Sequence, residues 1–265
     1  MVEPTVLDRI VEAVRARLEA VPEPGDLAER AARVRETSPS RSLRYALGAE
    51  GPSIIAECKK ASPSAGLLRE DLDPARLAAR YQAAGASAIS VVTEPDFFRG
   101  RLEWLALVRA AVDLPVLRKD FIIDERQLRE AAAYGADAVL LIQRILTADR
   151  LAELVGAARE LGLETLVEIF ADEDPGPTVA SGTEIIGVNA RDLATFVTRL
   201  DVVEALGSSL PVDRVRVAES GIKGPEDIQR LQAAGYDAFL IGEHLVRADD
   251  PEAALKRLRE TGNRC

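Results

Sequence analysis

Ala83-Ala84-Gly85-Ala86-Ser87-Ala88, Ala133-Tyr134-Gly135-Ala136-Asp137-Ala138 and Ala233-Ala234-Gly235-Tyr236-Asp237-Ala238 are three copies of one phrase. Each reads as the end of a helix, a glycine that takes the left-handed backbone conformation and stops it, and the opening of a strand. A phrase repeated at the passage from helix to strand makes the structural unit βα. Outward from these junctions, strands are expected at Ser53–Lys59, Ala88–Thr93, Pro115–Lys119, Ala138–Ile142, Glu164–Ile169, Glu184–Asn189, Arg214–Glu219 and Asp237–Ile241. Their starts lie roughly 20 to 35 residues apart, and the intervals hold helical patterns such as Pro74–Ala84, Arg101–Val112, Glu125–Tyr134, Ala148–Leu161 and Pro225–Ala234.

Eight βα units in about 210 residues fit the α/β class, as a closed (β/α)8 TIM barrel, typically about 250 residues long. The rival is a doubly wound open sheet, which would usually carry a G-x-G-x-x-G turn after its first strand. Here that turn reads Lys60-Ala61-Ser62-Pro63-Ser64-Ala65-Gly66. The fifth crossover contains Pro175-Gly176-Pro177, so a short or broken helix is expected there. Ahead of the barrel, Val6, Ile10, Val11, Val14 and Leu18 form a helical stripe; after the break at Pro22-Glu23-Pro24-Gly25 a second helix runs to about Glu36. Residues 1–265 are therefore expected to form one barrel domain, with 1–50 as an N-terminal helical extension packed on it.

Lys and Arg total 34 against 44 Asp and Glu, a net charge of −10. This balance argues against non-specific binding to nucleic acid or anionic membranes, and an anionic substrate would need locally placed cations. No apolar run approaches the roughly 20 residues of a membrane span. Glu3, Asp8, Glu12 and Glu19 interrupt any export signal at Met1 to Ala20, and Cys58 and Cys265 offer neither a disulfide framework nor metal-ligand spacing. The cytoplasm is the expected compartment. Only Lys59, Lys60, Lys119, Lys223 and Lys256 are lysines, so where one stands a compact, titratable ammonium is worth attention.

Alternation within a barrel strand decides which side chains share the interior. It turns Ile55, Glu57 and Lys59 inward on the first strand, with Ile54, Ala56 and Cys58 against the helices. Leu117 and Lys119 point inward on the third, Leu166 and Glu168 on the fifth, and Val215, Val217 and Glu219 on the seventh. Layers in such barrels draw side chains from alternate strands, so Glu57 or Lys59, Lys119, Glu168 and Glu219 are expected to converge at the catalytic face, with Asn189 at the end of the sixth strand beside them. Any one of these could be a strand-end charge in solvent. Together, at matching parity and matching ends, they form an acid–base set. Gly221 and Gly242, after strands seven and eight and before a short helix, suggest a phosphate site. Phe97, Phe98 and Phe121 lie where they could form an apolar wall at the mouth. His244 reads as structural or surface, and Cys58 as a small packing residue rather than a nucleophile.

Several stretches together resemble the indole-3-glycerol-phosphate synthase family of tryptophan biosynthesis. They are Ile54-Ile55-Ala56-Glu57-Cys58-Lys59-Lys60-Ala61-Ser62-Pro63-Ser64, Ser90-Val91-Val92-Thr93-Glu94 with Phe97-Phe98, Leu117-Arg118-Lys119-Asp120-Phe121-Ile122, and Leu166-Val167-Glu168-Ile169. The set continues with Gly187-Val188-Asn189-Ala190-Arg191-Asp192-Leu193, Ala218-Glu219-Ser220-Gly221-Ile222 and Leu240-Ile241-Gly242-Glu243. The resemblance covers essentially the whole chain. It implies conversion of 1-(2-carboxyphenylamino)-1-deoxyribulose 5-phosphate to indole-3-glycerol phosphate, carbon dioxide and water, with no metal or organic cofactor.

By the same resemblance Lys119 is the general acid at the substrate ketone, and Glu168 works in the dehydration. Lys59 sits near the substrate carboxylate and hydroxyls, with the order of proton donation between it and Lys119 left open. Glu57 and Asn189 hold hydroxyls and the anilino nitrogen region, and Glu219 and Ser220 complete the polar shell. Gly221 and Gly242 bind phosphate, Phe98 and Phe121 face the anthranilate ring, and Ser62, Arg191 and Glu243 fall within the substrate-binding stretches. Arg101, Ala65 and the Pro175-Gly176-Pro177 break depart from the family pattern outside the acid–base set. The implied partner is a small phosphorylated molecule, and association with other tryptophan-pathway enzymes is not readable. The alternatives are another phosphate-binding barrel enzyme such as phosphoribosylanthranilate isomerase, a Schiff-base aldolase using Lys119, and a non-catalytic phosphate-ligand barrel.

Overall fold

Thr5 opens the first helix with a capping box: its hydroxyl accepts the Asp8 amide N–H, and the Asp8 carboxylate accepts the Thr5 N–H. The helix it starts, α1 (Val6–Ala20), buries Leu7, Ile10, Val11 and Val14. Two shorter helices follow, α2 (Leu27–Thr37) and α3 (Leu43–Leu47). The computed structural model describes residues 4–49, 51–192 and 196–260; Leu193 of the matched stretches and Cys265 lie outside them.

The eight parallel strands are β1 (Ser53–Cys58), β2 (Ala88–Val92), β3 (Val116–Lys119), β4 (Ala138–Ile142), β5 (Glu164–Phe170), β6 (Ile185–Asn189), β7 (Val215–Glu219) and β8 (Ala238–Ile241). They close into a barrel where β1 pairs with β8, from Ser53 opposite Ala238 to Ala56 opposite Ile241. This is a (β/α)8 TIM barrel. Lys59 and Thr93 fall just past β1 and β2, because the ladder between those strands ends at Cys58 opposite Val91.

The crossovers are α4 (Pro74–Ala83), α5 (Trp104–Ala111), α6 (Glu125–Ala133), α7 (Ala148–Glu160), α8 (Gly176–Ala180), α9 (Leu200–Gly207) and α10 (Pro225–Ala233). After β8 come α11 (Glu243–Arg247) and α12 (Pro251–Arg259). Gly85, Gly135 and Gly235 have φ of 93°, 84° and 100°, so each repeated phrase does turn left-handed where its helix stops. The fifth crossover, α8, is a single short turn following Pro175, as its prolines dictate. Among the described residues no helix is long and apolar enough to cross a membrane.

Strand alternation divides the core into two layers. Ile54, Ala56, Cys58, Ile89, Val139, Val167 and Phe239 pack outward against the helices. Ile55, Leu117, Leu140, Leu166, Val217 and Leu240 fill the barrel interior, in one cluster with Leu7, Ile10, Val11 and Val14 of α1 and Leu43 and Leu47 of α3. The interior layer is thus covered at both ends by helices that precede the barrel.

The lower cover is bolted on by charge. Asp137, at the entrance to β4, accepts from the backbone N–H of Arg41 at 2.8 Å and of Val116 at 2.9 Å, and from the buried guanidinium of Arg109. Arg41 reaches the Val112 and Leu114 carbonyls, while Glu164 at the start of β5 accepts from Ser42 Oγ and the Arg44 N–H. Burial pushes the Asp137 carboxyl up, opposed by the Arg41 and Val116 amides and then by Arg109 and Arg35.

Candidate active site

The strand ends at the other mouth carry the inward charges. Lys119 Nζ at the end of β3 lies 2.8 Å from Glu168 Oε2 on β5 and 3.3 Å from Glu219 Oε2 on β7. Lys59 Nζ lies 2.5 Å from Glu57 Oε1, both at the end of β1. These five side chains, with Asn189, Ser220, Gly221 and Gly242, line one cavity of about 1170 Å³.

Three buried carboxylates thus face two ammonium groups. Burial alone would lower the Lys119 pKa, but Glu168, Glu219 and Glu57 outweigh it and hold the ammonium protonated well above its ordinary range. Burial would likewise raise the Glu57 carboxyl, yet Lys59, Lys119 and Arg191 keep it below the usual range. Glu219 goes the other way. Burial, reinforced by the Glu168 charge and only partly offset by Lys119, pushes it up to about 8. Neither Glu219 oxygen makes a well-aligned hydrogen bond, although Lys119 is close, so the group is held less firmly than its neighbours. With a proton on Glu219 the five groups balance, and a neutral acid sits beside the Lys119 ammonium.

Two glycines make room for this cluster. A Cβ on Gly187, which points inward on β6, would fall 2.2 Å from Glu219 Oε1. One on Gly242, just past β8, would fall 2.2 Å from Glu57 Oε1 and 3.0 Å from Lys59 Nζ. Gly242 is therefore required by the carboxylate opposite it, a constraint separate from any phosphate. Asn189 Oδ1 accepts the Arg191 N–H at 2.9 Å. Ser220 has φ of 68°, a left-handed conformation that costs a non-glycine residue about 1–2 kcal/mol and sets the turn at the end of β7.

One side of the cavity is apolar. Phe98 and Phe121 face each other with ring centroids 5.9 Å apart, and Val6, Leu7 and Ile10 of α1 line the same space. In the same cavity Arg191 donates to Ser64 Oγ at 2.7 Å and pairs with Glu243 at 3.2 Å, while Arg247 approaches the other Glu243 oxygen at 3.3 Å. Glu243 is thus neutralised by two guanidinium groups at the cavity edge. Ser62 lines the cavity too, its hydroxyl accepting the Ala65 N–H at 3.2 Å. His244 lies on the cavity wall, its pKa lowered chiefly by burial. Cys58 faces away, buried among outward-facing apolar residues, and burial pushes its thiol up. Phe97 packs partly against the interior cluster and is not among the lining residues.

Sequence reasoning missed Gly187, whose signal was an inward-parity glycine between Ile185 and Asn189. It also missed Leu7 and Ile10 as cavity residues; their stripe was readable, but nothing local tells which surface a stripe will cover.

A family model described as indole-3-glycerol phosphate synthase matches residues 7–258 of the chain. The indole-3-glycerol phosphate synthase of Desulfosudis oleivorans is 51% identical over 222 residues, 84% of each chain. That of a Nocardioides species is 47% identical over 254 residues, 96% of this chain and 98% of the relative. Among solved structures, a 3-hexulose-6-phosphate synthase superposes with a TM-score of 0.64 at 21% identity, over 79% of this chain and 99% of that one, which speaks to the fold alone.

Proposed function

Because the chain belongs to the indole-3-glycerol phosphate synthase family, we propose that the cavity at the barrel mouth carries out that family's ring closure. The enzyme converts 1-(2-carboxyphenylamino)-1-deoxyribulose 5-phosphate to indole-3-glycerol phosphate, carbon dioxide and water, in tryptophan biosynthesis. The observation that carries the site assignment is Lys119 held between Glu168 and Glu219 in a cavity with an aromatic pair on one side.

In this reading the ring of the substrate lies against Phe98 and Phe121, in an apolar surround that favours loss of a carboxylate as carbon dioxide. Its ring carbon bearing the carboxylate attacks the ketone carbon. That carbon is a weak nucleophile, so the ketone oxygen must be activated: the Lys119 ammonium stabilises the negative charge developing on it and then passes it a proton, leaving a neutral amine beside the new hydroxyl. Carbon dioxide leaves with the carbon–carbon bond electrons returning to the ring. Loss of the new hydroxyl as water then completes the indole: Glu168 accepts a proton as the double bond forms, and an acid of the cluster protonates the departing oxygen. Glu219, carrying a proton near neutral pH, is a second acid next to Lys119.

Glu57, Asn189 and Ser220 hold the hydroxyls and the anilino nitrogen, and Lys59 sits near the substrate carboxylate and hydroxyls. Gly221 and Gly242 provide backbone at the phosphate end, with Arg191, Ser62 and Glu243 forming its rim. A protein with a net charge of −10 binding a substrate with phosphate and carboxylate groups relies on such local cations. Helices α1 to α3 act as a covering extension of a single domain, and the phosphorylated substrate, which does not cross membranes unaided, supports a cytoplasmic location.

The test is to mix purified protein with the anilino-deoxyribulose phosphate and follow indole fluorescence and carbon dioxide together. The reading expects one carbon dioxide per indole formed. Protein that binds the product yet forms none would overturn it, and a borohydride-trapped adduct at Lys119 would indicate aldolase-type chemistry instead.

A further inference from the structure

The loop after β2 spends on its own backbone a buried carboxylate that does not line the cavity. Glu94, just after β2, has a side chain with no solvent exposure and is not among the residues lining the cavity. Its Oε1 accepts the Asp96 N–H at 3.0 Å, and its Oε2 accepts the N–H groups of Phe97 at 2.7 Å and Phe98 at 3.0 Å. Arg17 of α1 stands 3.8 Å from Oε1. Burial raises the Glu94 carboxyl, and the three amides pull against that rise.

The other member of the aromatic pair is held in the same way. Asp120 Oδ1 accepts the Phe121 N–H at 2.8 Å, and its Oδ2 accepts from Thr93 Oγ1 at 2.5 Å and from Arg118. Each ring that faces the cavity therefore has its own backbone amide fixed by a buried carboxylate. The two anchors are joined to the acid–base set: the Thr93 N–H donates to the Lys119 carbonyl at 3.1 Å, and the Ala61 N–H, two residues past Lys59, donates to the Phe98 carbonyl at 3.2 Å. An exposed loop could satisfy its amides with water at no desolvation cost. Three adjacent amides gathered onto one buried carboxylate instead fix the backbone that aims Phe98.

We propose that Glu94 is a positioning residue that sets the ring-binding slot: it acts through Phe98 on recognition of the substrate's aromatic ring and leaves recognition of the phosphate end alone. The proposal rests on the functional reading above for the identity of the ring-bearing ligand. In Glu94→Gln one oxygen becomes an NH2 that faces N–H donors, so at least one amide loses its acceptor. Dissociation constants would be measured for indole-3-glycerol phosphate and for the ringless sn-glycerol 3-phosphate, with KM and kcat alongside.

Glu94→Gln is expected to weaken indole-3-glycerol phosphate binding about tenfold and to raise KM to match, with kcat falling less than about threefold and glycerol phosphate binding within about twofold of wild type. In a Phe98→Leu background the same substitution is expected to change indole-3-glycerol phosphate binding less than about twofold, because the ring it acts through is gone. Equal losses for both ligands, no loss for either, or an undiminished effect in the Phe98→Leu background would each overturn the proposal. If Glu94→Gln does not fold, Glu94→Asp, which keeps the charge but is too short to span the three amides, is held to the same ligand discrimination. Absence of wild-type turnover would remove the functional reading; a ring-selective effect in the binding data would still stand by itself.

Discussion

Both ends of the barrel bury carboxylates among cations, and they do so to opposite effect. At the lower end Asp137 is enclosed by two backbone amides and the Arg109 guanidinium, with Arg35 nearby, and both its oxygens are used. At the mouth Glu57, Glu168 and Glu219 outnumber Lys59 and Lys119, the cluster borders a cavity, and Glu219 lacks a well-aligned partner. A carboxylate with both oxygens satisfied holds elements together. An unsaturated cluster facing a cavity is prepared for a ligand, and its stability is spent on shifted proton affinities. In this fold function gathers at the C-terminal ends of the strands and stability at the N-terminal ends, and here the partners of the carboxylate oxygens distinguish the two.

If that contrast holds, the ends should fail differently when broken. Glu168→Gln should reduce kcat by about two to four orders of magnitude, the range for loss of a general acid or base, with a denaturation midpoint near wild type. Asp137→Ala should do the reverse. It leaves the buried Arg109 and the half-buried Arg35 without their carboxylate, which is expected to cost about 3–5 kcal/mol in urea unfolding while kcat per folded molecule is unchanged. Gly187→Ala tests the fit within the mouth: its methyl would occupy the Glu219 carboxylate position, and kcat is expected to drop about tenfold with little effect on unfolding.

A pH series refines the comparison. The folded Glu219 pKa is raised from 4.5 to about 8, so the folded state binds this proton more tightly than the unfolded chain does. Its stabilising contribution is complete below about pH 4.5 and is lost as the pH rises through about 8. Wild type should therefore lose stability over that window relative to Glu219→Gln, and parallel curves would contradict the upward shift of Glu219. The smallest effect is expected away from both ends. Arg33→Ala breaks an exposed i,i+4 pair with Glu29 and should shift unfolding by no more than about 0.5 kcal/mol.

The barrel was legible because its signals are local and periodic: the repeated helix-stop phrase, the strand spacing and the alternation that turned Glu57, Lys59, Lys119, Glu168 and Glu219 to one side. Parity says which face a side chain takes. It does not say that Lys119 will choose Glu168 and Glu219 while Lys59 turns to Glu57, since those choices depend on the barrel's closure. The anchors were hidden for the same reason. Arg41 and Arg109 meet Asp137 from 96 and 28 residues away, and neither partner stands out in a chain rich in arginine. Glu94 stood within a stretch that resembles the family but carried no legible role, because a carboxylate that caps the amides of its own loop leaves no mark in composition. Gly242 was readable as a glycine after a strand, but the Glu57 carboxylate that demands it comes from β1, at the far side of the sequence of strands.

The most direct single measurement is turnover of Lys119→Ala set beside its affinity for indole-3-glycerol phosphate. The account predicts a loss of about three orders of magnitude or more in kcat, with product binding within a few-fold of wild type and a normal unfolding midpoint. A variant that keeps turning substrate over at near the wild-type rate would contradict the placement of the acid at the end of β3, and with it the claim that the unsaturated charge cluster at the mouth is where the chemistry occurs.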